Sequence, residues 1–195
     1  MRRIALILLT LGVLAGCSGH TRYTAEVDVL SFLPEDDASG ELDLVSTTIY
    51  LPDADGDLTT RDGGFLAQVP EQVVDGLDRA GFNFAATVEN TGSAPTGVSV
   101  ELYLAPSSED SDIYQPQYRV EGADLELGTG ESGELSLAVS LSEDENEEAY
   151  RRIRDGGGEF RVGVKVSTDA GSLSYELTDL RVSLTTKPLG ELIGR

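Results

Sequence analysis

Residues 98–104 read Val-Ser-Val-Glu-Leu-Tyr-Leu, and apolar side chains alternate with more polar ones along the whole stretch. Alternation with a period of two is typical of a β-strand that has one face on a core and the other in water. The same pattern recurs in the segments 82–88, 135–141 and 160–166. Segments with turn-forming residues, Asn90-Thr91-Gly92, Gly128-Thr129-Gly130 and Asp169-Ala170-Gly171, separate the alternating runs.

This pattern predicts an all-β fold, a single Ig-like antiparallel β-sandwich of about nine strands over residues 23–187. Earlier runs at 23–33 and 41–51 have a similar pattern and add strands to it. The alternation shifts by one residue at Leu44-Val45 and again between Leu177 and Leu180, which predicts β-bulges. We expect eight side chains to be mostly buried in antiparallel strands: Phe82, Phe84, Val100, Leu102, Leu137, Val139, Val162 and Val164.

One short connecting helix is predicted over 143–155. Ser142 with Glu145 three residues later has the spacing of a capping box, and Gly156 is a suitable stop. Glu147 and Glu148 each have an arginine four residues later, a spacing that allows ion pairs along one helix face. The apolar stripe is narrow, so we expect the helix to cross the end of a sheet.

Composition excludes several classes of protein. The 195-residue chain has 35 acidic and 14 basic residues and a formal charge of −21, whereas nucleic-acid binding needs a cationic face. It contains one Cys and one His, so it lacks the residues for an internal disulfide or a Cys/His zinc site.

The first 16 residues differ from the rest of the chain. Arg2 and Arg3 precede the segment 4–15, an almost unbroken apolar run. As a helix this run is about 18 Å long, short of the roughly 30 Å hydrocarbon core of a bilayer. The segment 1–16 is therefore predicted to be a cleaved secretory signal peptide.

The end of this segment, Leu14-Ala15-Gly16-Cys17, resembles the lipobox of bacterial lipoproteins. The resemblance implies acylation of the Cys17 sulfur by diacylglycerol and cleavage between Gly16 and Cys17. Residues 17–22 would then be an acylated tether, and 188–195 a C-terminal tail. Ser18 directly after the cysteine resembles the pattern of lipoproteins that are sent to the outer membrane of a double-membrane bacterium. In a single-membrane organism the anchor would lie in the outer leaflet of the cell membrane.

Loss of Arg2 and Arg3 with the signal peptide changes the formal charge from −21 to −23. Because anionic lipid repels such a body, membrane attachment would depend on the acyl chains.

A second resemblance covers residues 80–186. The stretch Val88-Glu89-Asn90-Thr91-Gly92, an alternating strand, and the turn Leu127-Gly128-Thr129-Gly130-Glu131-Ser132 are similar to cell-surface Ig-like modules of the CARDB type. The helix at 143–155 and the strands before residue 70 depart from that pattern. This resemblance implies an Ig-like sandwich on the cell surface and carries over no active site.

The acidic loop Asp53-Ala54-Asp55-Gly56-Asp57 is a candidate calcium site, with Asp62 nearby. It places carboxylates at positions 1, 3 and 5, as calcium loops do. However, the glycine falls at position 4 and Gly64 stands at position 12, where a bidentate glutamate is needed. An acidic surface loop between strands is the alternative interpretation, so calcium remains only a possible ligand and no other cofactor is expected.

The segment Ile113-Tyr114-Gln115-Pro116-Gln117-Tyr118 contains the other candidate ligand site. Tyr114 and Tyr118 on either side of a proline could stack against a sugar or a peptide. The alternative interpretation is an edge strand that its proline keeps from pairing.

Catalytic motifs are weak in this chain. The Gly128–Gly133 segment has the form G-x-G-x-x-G, but an alternating strand follows it where a dinucleotide site needs a helix. His20, the only imidazole, lies in the tether. We therefore expect a non-enzymatic, lipid-anchored envelope protein that binds another envelope protein and does not bind nucleic acid.

Overall fold

The structure is a computed structural model that describes residues 22–28, 30–32, 38–44, 48–51, 59–169 and 171–187. The predicted signal peptide, the lipobox residues Leu14 to Cys17, the tail 188–195 and the aspartates Asp53, Asp55 and Asp57 lie outside the described residues. The β-bulge predicted at Leu44-Val45 lies partly outside the described residues as well.

The described residues form ten strands, two α-helices and two 3₁₀ turns. The strands are β1 (Tyr23–Asp28), β2 (Ser39–Leu44), β3 (Thr48–Leu51), β4 (Phe65–Gln68), β5 (Leu77–Asn90), β6 (Thr96–Pro106), β7 (Arg119–Leu127), β8 (Ser132–Leu141), β9 (Glu159–Thr168) and β10 (Gly171–Thr186). The helices are α1 (Glu71–Val74) and α2 (Glu147–Asp155), and the 3₁₀ turns are Leu30–Phe32 and Pro116–Tyr118.

The strands form two antiparallel sheets, so the predicted all-β sandwich is confirmed. Sheet A has the order β1-β10-β5-β8, with β2 also paired to β10, and sheet B has the order β3-β9-β6-β7, with β4 also paired to β9. In each sheet two short strands therefore share one edge. We call that side of the sandwich the split edge. On the opposite side β7 and β8 are joined by a short turn.

Strand registers define two ends of the sandwich. At one end Tyr23 pairs with Thr186, which also pairs with Leu77, and we call this the tether end because the chain enters there. At the other, distal end, Leu44 pairs with Gly171 and Asn90 with Leu173. The turns β5–β6, β7–β8 and β9–β10 lie at the distal end.

The main core lies between the sheets and consists of the inward-facing aliphatic residues. The eight predicted residues all lie on antiparallel strands and belong to this core or pack against it. Val100, Leu102, Leu137 and Val139 are buried, whereas Phe82, Phe84, Val162 and Val164 are only partly buried. Val162 and Val164 lie on β9, beside the split edge. The short strands there cover less of the sandwich than a continuous strand would.

The predicted bulge in β10 is confirmed by a register shift between Leu177 and Asp179. Helix α2 begins four residues later than predicted. The Ser142 side chain does accept the Glu145 N–H at 3.1 Å, but Asn146 then has a left-handed backbone with φ of 53°, so the helix begins at Glu147.

The predicted C-cap and the predicted ion pairs of α2 are confirmed. Gly156 follows the helix as its C-cap, and both predicted ion pairs, Glu147–Arg151 and Glu148–Arg152, form. The single turn of α1 was not predicted, because one turn is too short for a helical period to be visible.

Asn90 is fully buried at the distal end and joins two turns. Its Nδ2 donates to the carbonyl oxygens of Ala94 at 2.8 Å and Gly128 at 3.1 Å, and its Oδ1 accepts the Gly92 N–H at 3.0 Å. The asparagine in the Val-x-Asn-x-Gly stretch therefore has a structural role, holding the β5–β6 turn to the β7–β8 turn.

Candidate functional site

A cluster of tyrosines lies on the outer face of sheet B, on the side away from the main core. We call Tyr50, Tyr103, Tyr114 and Tyr118 the tyrosine patch. Tyr103 lies on β6 between the inward-facing Leu102 and Leu104, so strand alternation directs it outward. It is nevertheless only 4% exposed, because the chain between β6 and β7 folds back over the sheet.

The rings of the patch contact one another closely. The Tyr50 and Tyr114 centroids are 4.6 Å apart, and the Tyr103 and Tyr114 centroids are 5.3 Å apart in an edge-to-face arrangement. Ile113 is fully buried beside them. Gly163 of β9 makes room for this packing, since a Cβ there would lie 2.7 Å from the Tyr114 hydroxyl oxygen.

Hydrogen bonds join described residues before and after the acidic loop to the β6–β7 connection. The Tyr114 hydroxyl donates to the carbonyl oxygen of Leu51 at 3.0 Å, just before the loop. The Ile113 N–H donates to the carbonyl oxygen of Asp62 at 3.2 Å, just after it. Asp62, the described residue of the candidate calcium site, therefore lies against the segment 113–118 that was predicted as the other candidate site.

The described carboxylates at this place are engaged by the protein. Asp62 Oδ1 accepts the Gly64 N–H at 2.7 Å, and Asp112 Oδ1 accepts the Tyr114 N–H at 2.9 Å. Arg61 pairs with Asp112 at 3.5 Å and donates to the Tyr50 hydroxyl at 3.1 Å. Within the described residues, no group of three or more His, Cys, Asp or Glu side chains is arranged to hold a metal ion. The calcium prediction itself depends on Asp53, Asp55 and Asp57 and stays a prediction.

A charged network borders the patch. Burial alone would raise the pKa of Glu101, but hydrogen bonds from Lys165, Arg119 and Tyr103 lower it below its usual range. Burial and the neighbouring Glu101 carboxylate raise the pKa of Tyr103 to about 12. Burial likewise raises the pKa of Tyr114. The raised pKa values of Tyr103 and Tyr114 favour the neutral phenol, which is suited to packing and to hydrogen-bond donation.

Two expectations for the segment 113–118 are wrong. Tyr114 is only 3% exposed, so its ring is not available to stack on a ligand. The segment is also not an edge strand: Pro116–Tyr118 is a 3₁₀ turn, and pairing begins at Arg119. Loop closure over the sheet explains both corrections. Tyr118 is half-buried, with the Arg152 guanidinium 5.3 Å from its ring centroid.

Sequence reasoning did not include Tyr50 and Tyr103 in this site. Both occupy outward positions of their strands, where a tyrosine is compatible with exposure to solvent. The only available sign was the number of tyrosines in the segments that flank the two loops. Local patterns could not show that these loops fold onto each other.

In the part of the chain that the structure describes, no helix combines the length and apolar character needed to cross a membrane.

Comparison with known proteins gives no family. No protein-family model matches the chain, and no curated protein is similar to it in sequence. Among solved structures, infectious bursal disease virus Gx strain matches with a TM-score of 0.39 and 11% identity over 87% of this chain and 34% of the other. The CBM22-1-GH10 modules of xylanase 10B from Clostridium thermocellum match with a TM-score of 0.36 and 12% identity, over 87% and 28%.

Eiger TNF from S. frugiperda matches with a TM-score of 0.39 and 9% identity, over 86% of this chain and 93% of the other. The chain spans about a third of the length of the viral chain. These likenesses assign no function to the chain.

Proposed function

We propose that this chain is a lipid-anchored lipoprotein of the bacterial envelope whose acidic β-sandwich is a non-catalytic binding module for another envelope protein. The lipid would be carried by Cys17, the first residue of the mature chain. The membrane is outer in a double-membrane organism and the cell membrane in a single-membrane one.

The observation that carries this proposal is the position of Tyr23. It begins β1 at the tether end, six residues after Cys17, so the tether can extend about 20 Å at most. The sandwich would therefore stay close to the bilayer, with its tether end facing it. The turns at the distal end would face away from the bilayer.

Charge distribution supports the same orientation. The described segments at the distal end, 39–44, 86–99, 124–135, 166–169 and 171–176, contain no Lys or Arg. Their acidic residues are Glu41, Asp43, Glu89, Asp124, Glu126, Glu131, Glu134, Asp169 and Glu176. Because an anionic lipid surface repels carboxylates and these distal segments have no Lys or Arg to offset them, the distal end would be repelled more strongly than the tether end, where Glu147 and Glu148 are paired with arginines.

Mass spectrometry of the N-terminal peptide tests the anchor. We expect the mature chain to begin at Cys17 and to carry diacylglycerol on its sulfur, and we expect Cys17→Ser to block both acylation and the cleavage that depends on it. An unmodified mature peptide that begins elsewhere would overturn the assignment. Fractionation alone is not sufficient, because an uncleaved signal can also hold the precursor at the membrane.

Crosslinking in intact envelopes tests the binding role. We expect a protein partner to be captured by a crosslinker placed on the sandwich, and the same partner to be recovered in repeated preparations. Chains that crosslink to no envelope protein would contradict this part of the proposal.

A ligand-binding lipoprotein, holding calcium or a glycan, is the second candidate function. The observation that favours it is the bond from the Ile113 N–H to the Asp62 carbonyl oxygen, which holds the described residue of the candidate calcium site against the segment that contains the half-buried Tyr118. Saturable calcium binding would raise the melting temperature by mass action, and replacing Asp53, Asp55 and Asp57 by Asn would abolish the rise. We expect no saturable effect, and a tight binding isotherm would favour this candidate instead.

A further inference from the structure

Strand β4 differs from the other edge strands of the sandwich. Among the described residues the edge strands are β1, β2, β3, β4, β7 and β8. Proteins protect such edges with charged side chains, because an unpaired strand can pair with another chain. β1, β2, β7 and β8 each contain at least one charged residue, whereas β3 and β4 contain none.

Both faces of β4 expose apolar side chains. Phe65 is 58% exposed and Leu66 is 39% exposed, and the two side chains point to opposite faces of sheet B. In the neighbouring β3, by contrast, Ile49 and Tyr50 are buried. A segment added beside β4 would therefore find apolar surface next to it on either face of sheet B.

Among the described residues, the backbone of β4 is also unpaired on the side away from β9. Val69 N–H donates to the carbonyl oxygen of Gly158 at 2.9 Å, in register with the β4–β9 ladder. Since bonded and non-bonded positions alternate in an antiparallel ladder, the N–H and C=O groups of Leu66 and Gln68 point away from β9. No described strand pairs with them.

We infer that β4 is a docking edge that binds an extended segment of a basic partner protein by strand addition. The segment would have apolar side chains at alternate positions and lysine or arginine between them. We choose a basic partner because the chain itself is strongly acidic. The chain carries a formal charge of −21, and the exposed Glu71 and Glu159 flank the Gln68 end of β4. A second copy of the chain would bring the same negative charge and be repelled. The inference rests on the proposed function and specifies how the partner is bound.

The experiment uses the full chain in detergent micelles and a short acetylated peptide of alternating valine and lysine. Amide hydrogen exchange is measured with and without the peptide. We expect exchange at Leu66 and Gln68 to slow at least about tenfold on saturation, because their N–H groups become bonded. The same peptide with N-methylated backbone amides keeps its charge and side chains but loses its donors, and should give no protection.

Variants test the edge directly. Leu66→Lys places a positive charge on the edge and should weaken peptide binding at least about tenfold. Ala138→Lys is the matched control, since it adds the same charge at an exposed position on edge strand β8, and it should change binding by less than about twofold. If Leu66→Lys lowers the melting temperature markedly, Gln68→Lys, at a polar and exposed residue, replaces it.

Absence of protection at Leu66 and Gln68, or protection at β1 or β8 instead, overturns the inference. So does a dimer that sediments as such and dissociates in Leu66→Lys, because the edge would then bind a second copy. These results would leave the acylation of Cys17 unaffected. Conversely, a chain without lipid on Cys17 would overturn the anchor while the peptide could still protect β4.

Discussion

The sandwich has two buried clusters on opposite sides of sheet B, and they are built differently. The main core between the sheets consists of aliphatic side chains, such as Val100 and Leu102, supplied by strand alternation. The tyrosine patch on the outer face is aromatic and is buried by the connection that folds over it. Burial in the main core thus follows from sheet pairing, whereas burial in the patch depends on loop closure.

This difference determines how each cluster satisfies its polar groups. Aliphatic side chains need no partners, so the main core can form wherever two apolar faces meet. A buried phenol must donate a hydrogen bond, and the Tyr114 hydroxyl donates one to the Leu51 carbonyl oxygen at 3.0 Å. The patch therefore fixes the position of one particular loop, and the main core determines the overall architecture.

The largest expected effect is a charge placed in the main core. Leu137→Asp would bury an unpaired carboxylate at a position that is 4% exposed, and we expect at least about 4 kcal/mol of destabilisation. The matched control is Ser136→Asp on the exposed face of the same strand, with a change of less than about 0.5 kcal/mol. Denaturant unfolding measures both. Equal effects would contradict the assignment of the two faces.

Asn90 is a buried polar residue at the distal end of β5, the strand that carries part of the main core. Asn90→Ala leaves the carbonyl oxygens of Ala94 and Gly128 without their donor, and we expect a loss of about 2 kcal/mol. Asn83→Ala, the same change on the outer face of β5, should cost less than about 0.5 kcal/mol. Thermal unfolding of both variants compares them, and a neutral Asn90→Ala would show that the turns do not depend on this side chain.

A smaller effect is expected from removing one hydroxyl in the patch. Tyr114→Phe keeps the ring packing and loses the bond to Leu51, which should cost about 1 kcal/mol. Tyr118→Phe removes a longer bond, 3.3 Å to Glu109, and should cost less than about 0.5 kcal/mol. Hydrogen exchange at Thr59 to Gly64 should increase only in Tyr114→Phe. Unchanged exchange there would indicate that the hydroxyl does not fix the loop.

The last effect is absent at neutral pH and is a loss of stability at alkaline pH. Because the pKa of Tyr103 is raised from 10.0 to about 12 in the fold, the folded state favours the neutral phenol. Its contribution to stability is therefore complete below pH 10.0 and is lost as pH rises through about 12.

Absorbance of the phenolate and melting temperature against pH measure this loss. Tyr103→Phe should remove a titration step near pH 12 that Tyr23→Phe, at a 62% exposed residue, retains. A melting temperature that is independent of pH over this range would contradict the prediction.

Much of the fold could be predicted because the alternation of apolar and polar residues along a strand shows which of its faces points to the core. Val98, Val100 and Leu102 alternate with outward residues, and the structure places them on the core face of β6. The bulge between Leu177 and Asp179 was visible as a change of parity. Local periodicity is sufficient for such features, because a side chain's face on a strand depends only on its position.

The candidate site could be predicted only in pieces. Asp62 and Tyr114 were each identified from residue type and spacing, yet they are 52 residues apart in the sequence, and the bond that joins Asp62 to Ile113 was not foreseen. Tyr50 and Tyr103 were missed because an outward tyrosine on a strand has no distinguishing local pattern. The burial of all these groups depends on a loop folding onto the outer face of sheet B.

The sequence by itself determined the long strands β5, β6, β8, β9 and β10, their inward faces, the turns at the distal end and the acidity of the surface, because these depend on neighbouring residues and on composition. Only the tertiary structure decided that β3 and β4 share one edge of β9, that β4 exposes Phe65 and Leu66 at that edge, and that Asp62 meets Ile113 beside the tyrosine patch. Such contacts join residues far apart in the chain, and their formation depends on how whole elements pack together, which no local period records.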